Sequence, residues 1–313
     1  MQTPGPGHHW RNDHSRTQVM GVINLTPDSF SDGGRYNSVD AAVAQAERMA
    51  RQGADLIDLG AQSTRPGAQL LEAPEEIGRL MPALNAIVAE WKAAPDPIPE
   101  PCDGTQGPDV GLPVASTRTR PLISIDTFRA SVAAQALEAG ADWINDVSGG
   151  RSDPGMLPLI AEAGCPYVLM HSRGDSRTMD QLASYGDVVR EVIQALLEAT
   201  ERALAAGIRQ EQILWDPGLG FAKDTDHNLA LLEGLNTITS QRFPVLLGPS
   251  RKRFIGAVLE EPRPRARLWG TAAVICRAVS AGVRVVRVHD VAPIVQTVRM
   301  AEVLWPLRSG RTG

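Results

Sequence analysis

Short apolar runs alternate along the chain with longer stretches whose apolar residues recur at helical spacing. "QVMGVIN" (Gln18–Asn24) reads as a buried strand. The helix-patterned "SVDAAVAQAERMARQG" follows, with Ser38 as its expected N-cap and Gly53 as its stop. The same order repeats. "ADLIDLG" (Ala54–Gly60) is a strand before the helix Pro74–Trp91, and "PLISID" (Pro121–Asp126) a strand before "FRASVAAQALEAG". "ADWINDV" precedes a short helix near Gly155–Gly164, and "PYVLMH" (Pro166–His171) a long one over about Tyr185–Ala206. "QILWD" (Gln212–Asp216) precedes a helix near His227–Leu235, and "FPVLLG" (Phe243–Gly248) helical segments to about Ala281. "VRVVRVHD" (Val283–Asp290) leads into a last helix ending near Trp305. Gly53, Gly140 and Gly282 each close a helix and feed a strand, as helix C′ glycines do.

About eight strand–helix alternations predict a parallel sheet with crossover helices, and in a chain of 313 residues a closed (β/α)8 TIM barrel. The pattern predicts a single barrel domain over residues 17–307 after a flexible N-terminal tail, 1–16. One segment breaks the rhythm. Residues 95–121, "PDPIPEPCDGTQGPDVGLPVASTRTRP", are rich in Pro and Gly and lack an apolar period. They read as a flexible insertion between the second helix and the third strand.

Composition narrows the picture. The formal net charge of −5 argues against a general nucleic-acid binder. Cys102, Cys165 and Cys276 are scattered and show no CxxC spacing, so neither a zinc site nor a disulfide framework is expected and a cytoplasmic setting fits. No apolar run is long enough to span a membrane, and the N-terminus lacks the apolar core of a signal peptide.

In such a barrel the chemistry sits at the C-terminal ends of the strands. Those ends carry Asn24, then Thr64 and Arg65, Asp126, Asn145 and Asp146, His171, Asp216, Ser250 with Arg251 and Lys252, and Arg287 with His289. Asn24, Arg65, Arg287 and His289 offer donors and positive charge suited to a phosphate or diphosphate. Asp126, Asn145, Asp216 and Lys252 offer the mixed acceptors and donors that suit a flat nitrogen heterocycle. In "LWDPGLGFAKDTDHN" the glycines let backbone come close to such a ring, and Phe221 can stack on it. Asp226 is expected to cap the next helix, with His227 in its first turn. "NLTPDSFSDGG" (Asn24–Gly34) is a loop able to close over the site.

Taken together, "MGVINLTPDSFSDGG", "GADLIDLGAQSTRPGA", "ISIDTFR", "INDVSGG", "VLMH", "DPGLGFAKDTDHN", "GPSRKRFIG" and "VRVVRVHDV" resemble the dihydropteroate synthase family. They run in family order from Met20 to Val291, and the insertion at 95–121 departs from the pattern away from every matched motif. The resemblance implies a transferase of tetrahydrofolate biosynthesis, of the family that is the sulfonamide target. Such an enzyme condenses 6-hydroxymethyl-7,8-dihydropterin diphosphate with 4-aminobenzoate to 7,8-dihydropteroate and diphosphate, with Mg2+ and as a homodimer. It implies that Asp126, Asn145, Asp216 and Lys252 hold the pterin, with Met170 and Gly248 also in contact with substrate. It places Asn24, Arg65, Arg287 and His289 at the diphosphate, Asn24 through or beside the metal. Thr64, Pro66, Phe221, Ser250 and Lys252 would border the 4-aminobenzoate, while Asp28, Ser29, Phe30 and Ser31 close the site.

Asp126, Lys252, Arg287 and His289 are the expected catalytic set for an ionisation-first displacement. The attacking group is the substrate's own aryl amine, so no activated side-chain nucleophile is required. Two other readings remain. One is a pterin-binding methyltransferase domain on the same barrel, working beside a corrinoid partner. The other is a non-catalytic pterin-binding paralogue, whose signature would be loss of the diphosphate-binding side chains.

Overall fold

Strand alternation divides each β-run into an inward and an outward set, and the two sets pack against different neighbours. The computed structural model describes residues 16–26, 35–63, 67–93 and 120–306. Among them are eight strands: β1 (Gln18–Asn24), β2 (Leu56–Gly60), β3 (Leu122–Asp126), β4 (Trp143–Asp146), β5 (Tyr167–Met170), β6 (Ile213–Asp216), β7 (Leu246–Leu247) and β8 (Val285–Val288). All pair in parallel, in the order β6-β5-β4-β3-β2-β1-β8-β7. The two edge strands meet where Trp215 bridges Val245 and the Trp215 amide donates to the Pro244 carbonyl at 2.9 Å. The expected barrel is therefore the observed fold.

One inward residue per strand builds the barrel's lower core: Met20, Leu56, Leu122, Trp143, Val168, Leu214, Leu246 and Val285. Their outward neighbours, such as Ile57, Ile125, Ile144, Trp215 and Val286, join the larger core under the helices. Those helices are α1 (Arg35–Arg51), α2 (Ala73–Ala93), α3 (Ala130–Ala139), α4 (Met156–Ala163), α5 (Val188–Ala205), α6 (Thr225–Glu233), α7 (Leu235–Thr239), α8 (Arg253–Val258), α9 (Leu268–Ser280) and α10 (Val291–Leu304).

Gly53, Gly140 and Gly282 all adopt the left-handed conformation expected of helix stops. Two expected caps differ. α1 begins at Arg35, so Ser38 falls inside the helix. α6 is capped by Asp224, not Asp226: the Asp224 carboxylate accepts from the His227 amide at 2.8 Å. Asp226 lies in the first turn, where a carboxylate favours the positive end of the helix dipole without capping it. The tail up to residue 15 and most of the 95–121 insertion lie outside the described residues, as do Asp28, Ser29, Phe30, Ser31, Thr64, Arg65 and Pro66.

Candidate active site

Two and four positions beyond the apolar layer, the same inward parity delivers polar residues to the mouth of the barrel. Leu56 leads to Asp58, Leu122 to Ser124 and Asp126, Trp143 to Asn145, and Leu214 to Asp216. Likewise Met20 leads to Asn24, and Val285 to Arg287 and His289, whereas Val168 and Leu246 lead to the non-polar Met170 and Gly248.

Asp58 is the centre of this layer. Its carboxylate accepts from Ser124 Oγ at 2.6 Å, Asn145 Nδ2 at 3.2 Å and Arg287 Nε at 2.6 Å. Arg287 also donates from Nη2 to Asp126 at 2.8 Å. One guanidinium thus ties together carboxylates from the neighbouring strands β2 and β3, which offsets the cost of burying charge. Asp126 still holds its proton up to about 7, because burial and the nearby carboxylates of Asp58, Glu76 and Asp146 outweigh Arg287. Sequence reading missed Asp58 and Ser124. The available signal was a polar side chain at an inward position of an otherwise apolar strand.

Asp216 closes the opposite side. Its Oδ1 accepts from the Gly218 amide at 2.7 Å. Burial raises its pKa, opposed by that amide and by the charges of Lys252, Arg287 and Lys223. Lys252, just before α8, places Nζ 4.3 Å from the centre of the Phe221 ring, a cation–π contact. Its ammonium has no hydrogen bond or ion pair among the described residues, and burial lowers its pKa to about 8. A cation without a partner beside an aromatic wall can bind a ligand atom. The Asn24 side chain likewise makes no hydrogen bond to a described residue, and Met170 is buried at the end of β5.

His289 is held by Ser250, whose Oγ accepts the His289 amide at 3.1 Å and meets its Nδ1 at 3.0 Å. Burial, then Arg251 and Arg287, lower the imidazole's pKa to about 3. His289 is therefore a neutral donor, and the positive charge of this group comes from arginine.

Four further residues near the rim are not brought into the pocket. Asp146 has outward parity, and its carboxylate accepts from the Ser148 and Gly150 amides and the Tyr167 hydroxyl, at 2.7, 2.9 and 2.6 Å, fixing the turn after β4. Arg251 forms a two-toothed pair with Asp290 at 2.6 and 3.0 Å, and exposed Arg253 pairs with Asp180 at 2.7 Å. The basic run therefore supplies one cation, Lys252, to the site. His171 also has outward parity; its Nδ1 meets Lys223 Nζ at 2.9 Å beneath the β6 loop.

The base of the loop carrying residues 64–66 is pinned on both sides. Gln62 bonds Ser63, Gln69 and Leu71, while Ser176 exchanges hydrogen bonds with Gly67 and Ala68. Buried Glu76 accepts from Thr127 Oγ1 at 2.7 Å and Arg129 Nε at 3.1 Å, tying that side to the end of β3.

The pocket thus joins a carboxylate–amide floor, which can read the N–H edge of a planar heterocycle, to cationic and neutral donors able to meet an anion. A barrel mouth of this chemistry defines a class. Residues 20–95 and 112–289 match the model of the pterin binding enzyme family, and the chain belongs to that family. Within it, the similarity is to dihydropteroate synthases, which are transferases. The dihydropteroate synthase of Synechocystis is 43% identical over 290 residues, covering 93% of this chain and 91% of the relative. The crystal structure of Xanthomonas albilineans dihydropteroate synthase with 4-aminobenzoic acid superposes with a TM-score of 0.79 at 38% identity, covering 93% of this chain and 94% of that one. The same bacterium's enzyme in complex with 7,8-dihydropteroate gives a TM-score of 0.76 at 35% identity over the same shares.

Proposed function

We propose that this chain condenses 6-hydroxymethyl-7,8-dihydropterin diphosphate with 4-aminobenzoate, releasing 7,8-dihydropteroate and diphosphate. The observation that carries the reading is the juxtaposition of Asp126, Asn145, Asp216 and Lys252 with Arg287 and His289 at one barrel mouth. Asp216 and Asn145 read the pterin edge, and Phe221 walls it.

The bond from the pterin's methylene carbon to diphosphate oxygen breaks first, with the electron pair leaving on diphosphate. Arg287 keeps Nη1 for that charge after committing Nε and Nη2, and His289 adds a neutral N–H. Arg65 is assigned to the same charge on sequence grounds. Asp126 supports the cation left on the pterin. The aryl amine nitrogen then bonds to the methylene carbon and loses a proton to solvent.

Mg2+ fits beside Asn24, which offers a neutral amide oxygen without a hydrogen-bond partner among the described residues. A magnesium ion held mainly by diphosphate oxygens and water needs few protein ligands. Among the described residues no group of three or more His, Cys, Asp or Glu side chains is placed to hold a metal ion. Bound there, the ion would neutralise diphosphate charge.

A homodimer is supported by exposed apolar residues at the end of α8 and on α9, Val258, Leu259 and Trp269, the last 77% exposed. A cytoplasmic setting is supported by the scattered cysteines, and no described helix is long and apolar enough to cross a membrane.

Incubation with both substrates and Mg2+ tests the function. One diphosphate released per dihydropteroate formed is expected. No product, with pterin bound, would favour the non-catalytic reading; methyl transfer from a methylated folate would favour the corrinoid-linked one.

A further inference from the structure

The lysine inside the β6 loop has no part in the reaction described above, yet it is among the most buried cations of the chain. Lys223 is 5% exposed and makes no ion pair among the described residues. Its ammonium instead meets three neutral acceptors: the Gly218 carbonyl at 3.0 Å, the Phe221 carbonyl at 2.9 Å and His171 Nδ1 at 2.9 Å. An ammonium carries three donors, and all three are engaged. A methionine would fill similar volume without desolvating a charge. Burial lowers the Lys223 pKa to about 7, so what the residue supplies is attachment through its three contacts rather than a permanent charge.

The partner is prepared to accept. Burial, followed by Lys223 and two arginines, lowers the His171 pKa to about 2, so the imidazole is neutral and Nδ1 offers its lone pair. The loop is also seated on the end of β5 by shape. Gly218 has φ +69°, and a Cβ there would stand 2.0 Å from the His171 carbonyl oxygen. The consequences reach the pocket. Gly218 supplies the amide that orients Asp216, and Phe221 forms the wall against Lys252.

We propose that Lys223, anchored on His171, is a positioning residue that sets the pterin-facing wall by fixing both Gly218 and Phe221. The inference rests on the pterin-binding reading of the site. It concerns ground-state binding: the wall and Asp216 hold the ring, whereas the charges that develop, the pterin cation and the departing diphosphate, are met by Asp126, Arg287 and His289.

The test measures KM for the pterin diphosphate and kcat in the wild type, K223M, H171L and H171N. K223M is expected to raise that KM about tenfold, on the scale of one charged hydrogen bond, with kcat changed less than about threefold. H171L should follow it. H171N should stay near wild type, because its amide oxygen takes the place of Nδ1 as acceptor. An unmoved KM in K223M overturns the inference, and so does H171N failing as far as H171L. If K223M does not fold, the two His171 variants decide alone. Turnover by the wild type with unmoved KM in the variants refutes only the positioning role, whereas absence of wild-type turnover refutes the function and this inference with it.

Discussion

The lower and upper parts of the barrel interior are made by the same strands and the same alternation, but different forces hold them. Below, Met20, Leu56, Trp143, Leu214 and their neighbours exclude water by shape, and any apolar set of equal volume would serve. Above, Asp58, Ser124, Asn145 and Asp126 are buried, and with the half-buried Arg287 each depends on the others being present. The lower layer can vary in detail and still close the barrel. The upper layer places its charges and hydrogen-bonding groups where a ligand can meet them, and tolerates little change.

Breaking each layer should give a different kind of loss. Trp143→Ala empties the largest side chain of the lower layer and should cost about 3–5 kcal/mol of stability in denaturant unfolding. The folded fraction should keep its KM values; a changed KM would mean that the layers are not separable. Asp58→Asn keeps shape and removes charge. Turnover should fall about a hundredfold, roughly 2.7 kcal/mol, with native circular dichroism retained. Turnover within about threefold of wild type would remove Asp58 from the role of orienting Arg287.

A pH titration sharpens the contrast further. Folded Asp126 holds its proton to about 7, against an ordinary value of 3.8. The folded state therefore binds that proton more tightly. The stability this contributes is complete below about pH 4 and is lost as pH rises toward 7. Relative to Asp126→Asn, the wild type should lose at least about 1.4 kcal/mol across that window, the equivalent of one pKa unit. Parallel stability curves for the two proteins would contradict this. The smallest effect lies at the edge of the rim. Asp224→Ala should cost about 1 kcal/mol through the lost cap of α6. Asp226→Ala should stay within about 0.5 kcal/mol.

Much of the site was legible because strand ends concentrate polar residues, but the list of strand-end residues was longer than the site. Asn145 and Asp146 are adjacent and chemically alike, yet Asn145 faces the pocket and Asp146 ties down a turn. The parity of β4 distinguishes them: Trp143 and Asn145 point inward, Ile144 and Asp146 outward. The same rule sets His171 outside and would have found Asp58. Parity could not have shown that Arg251 and Arg253 pair with Asp290 and Asp180, since those partners come from distant parts of the chain.

By itself the sequence determined the eightfold alternation, the parallel barrel and the rim on which chemistry gathers, because strand and helix periods and glycine stops are local properties of the chain. It also determined which residue types stand at each strand end. Only the tertiary structure decided their states: which carboxylates share Arg287, that His289 is neutral, that the Lys252 ammonium has no ion pair among the described residues, and that Lys223 holds the β6 loop. Charge state and partnership depend on burial and on distances between residues far apart in sequence, and those exist only once the barrel has closed.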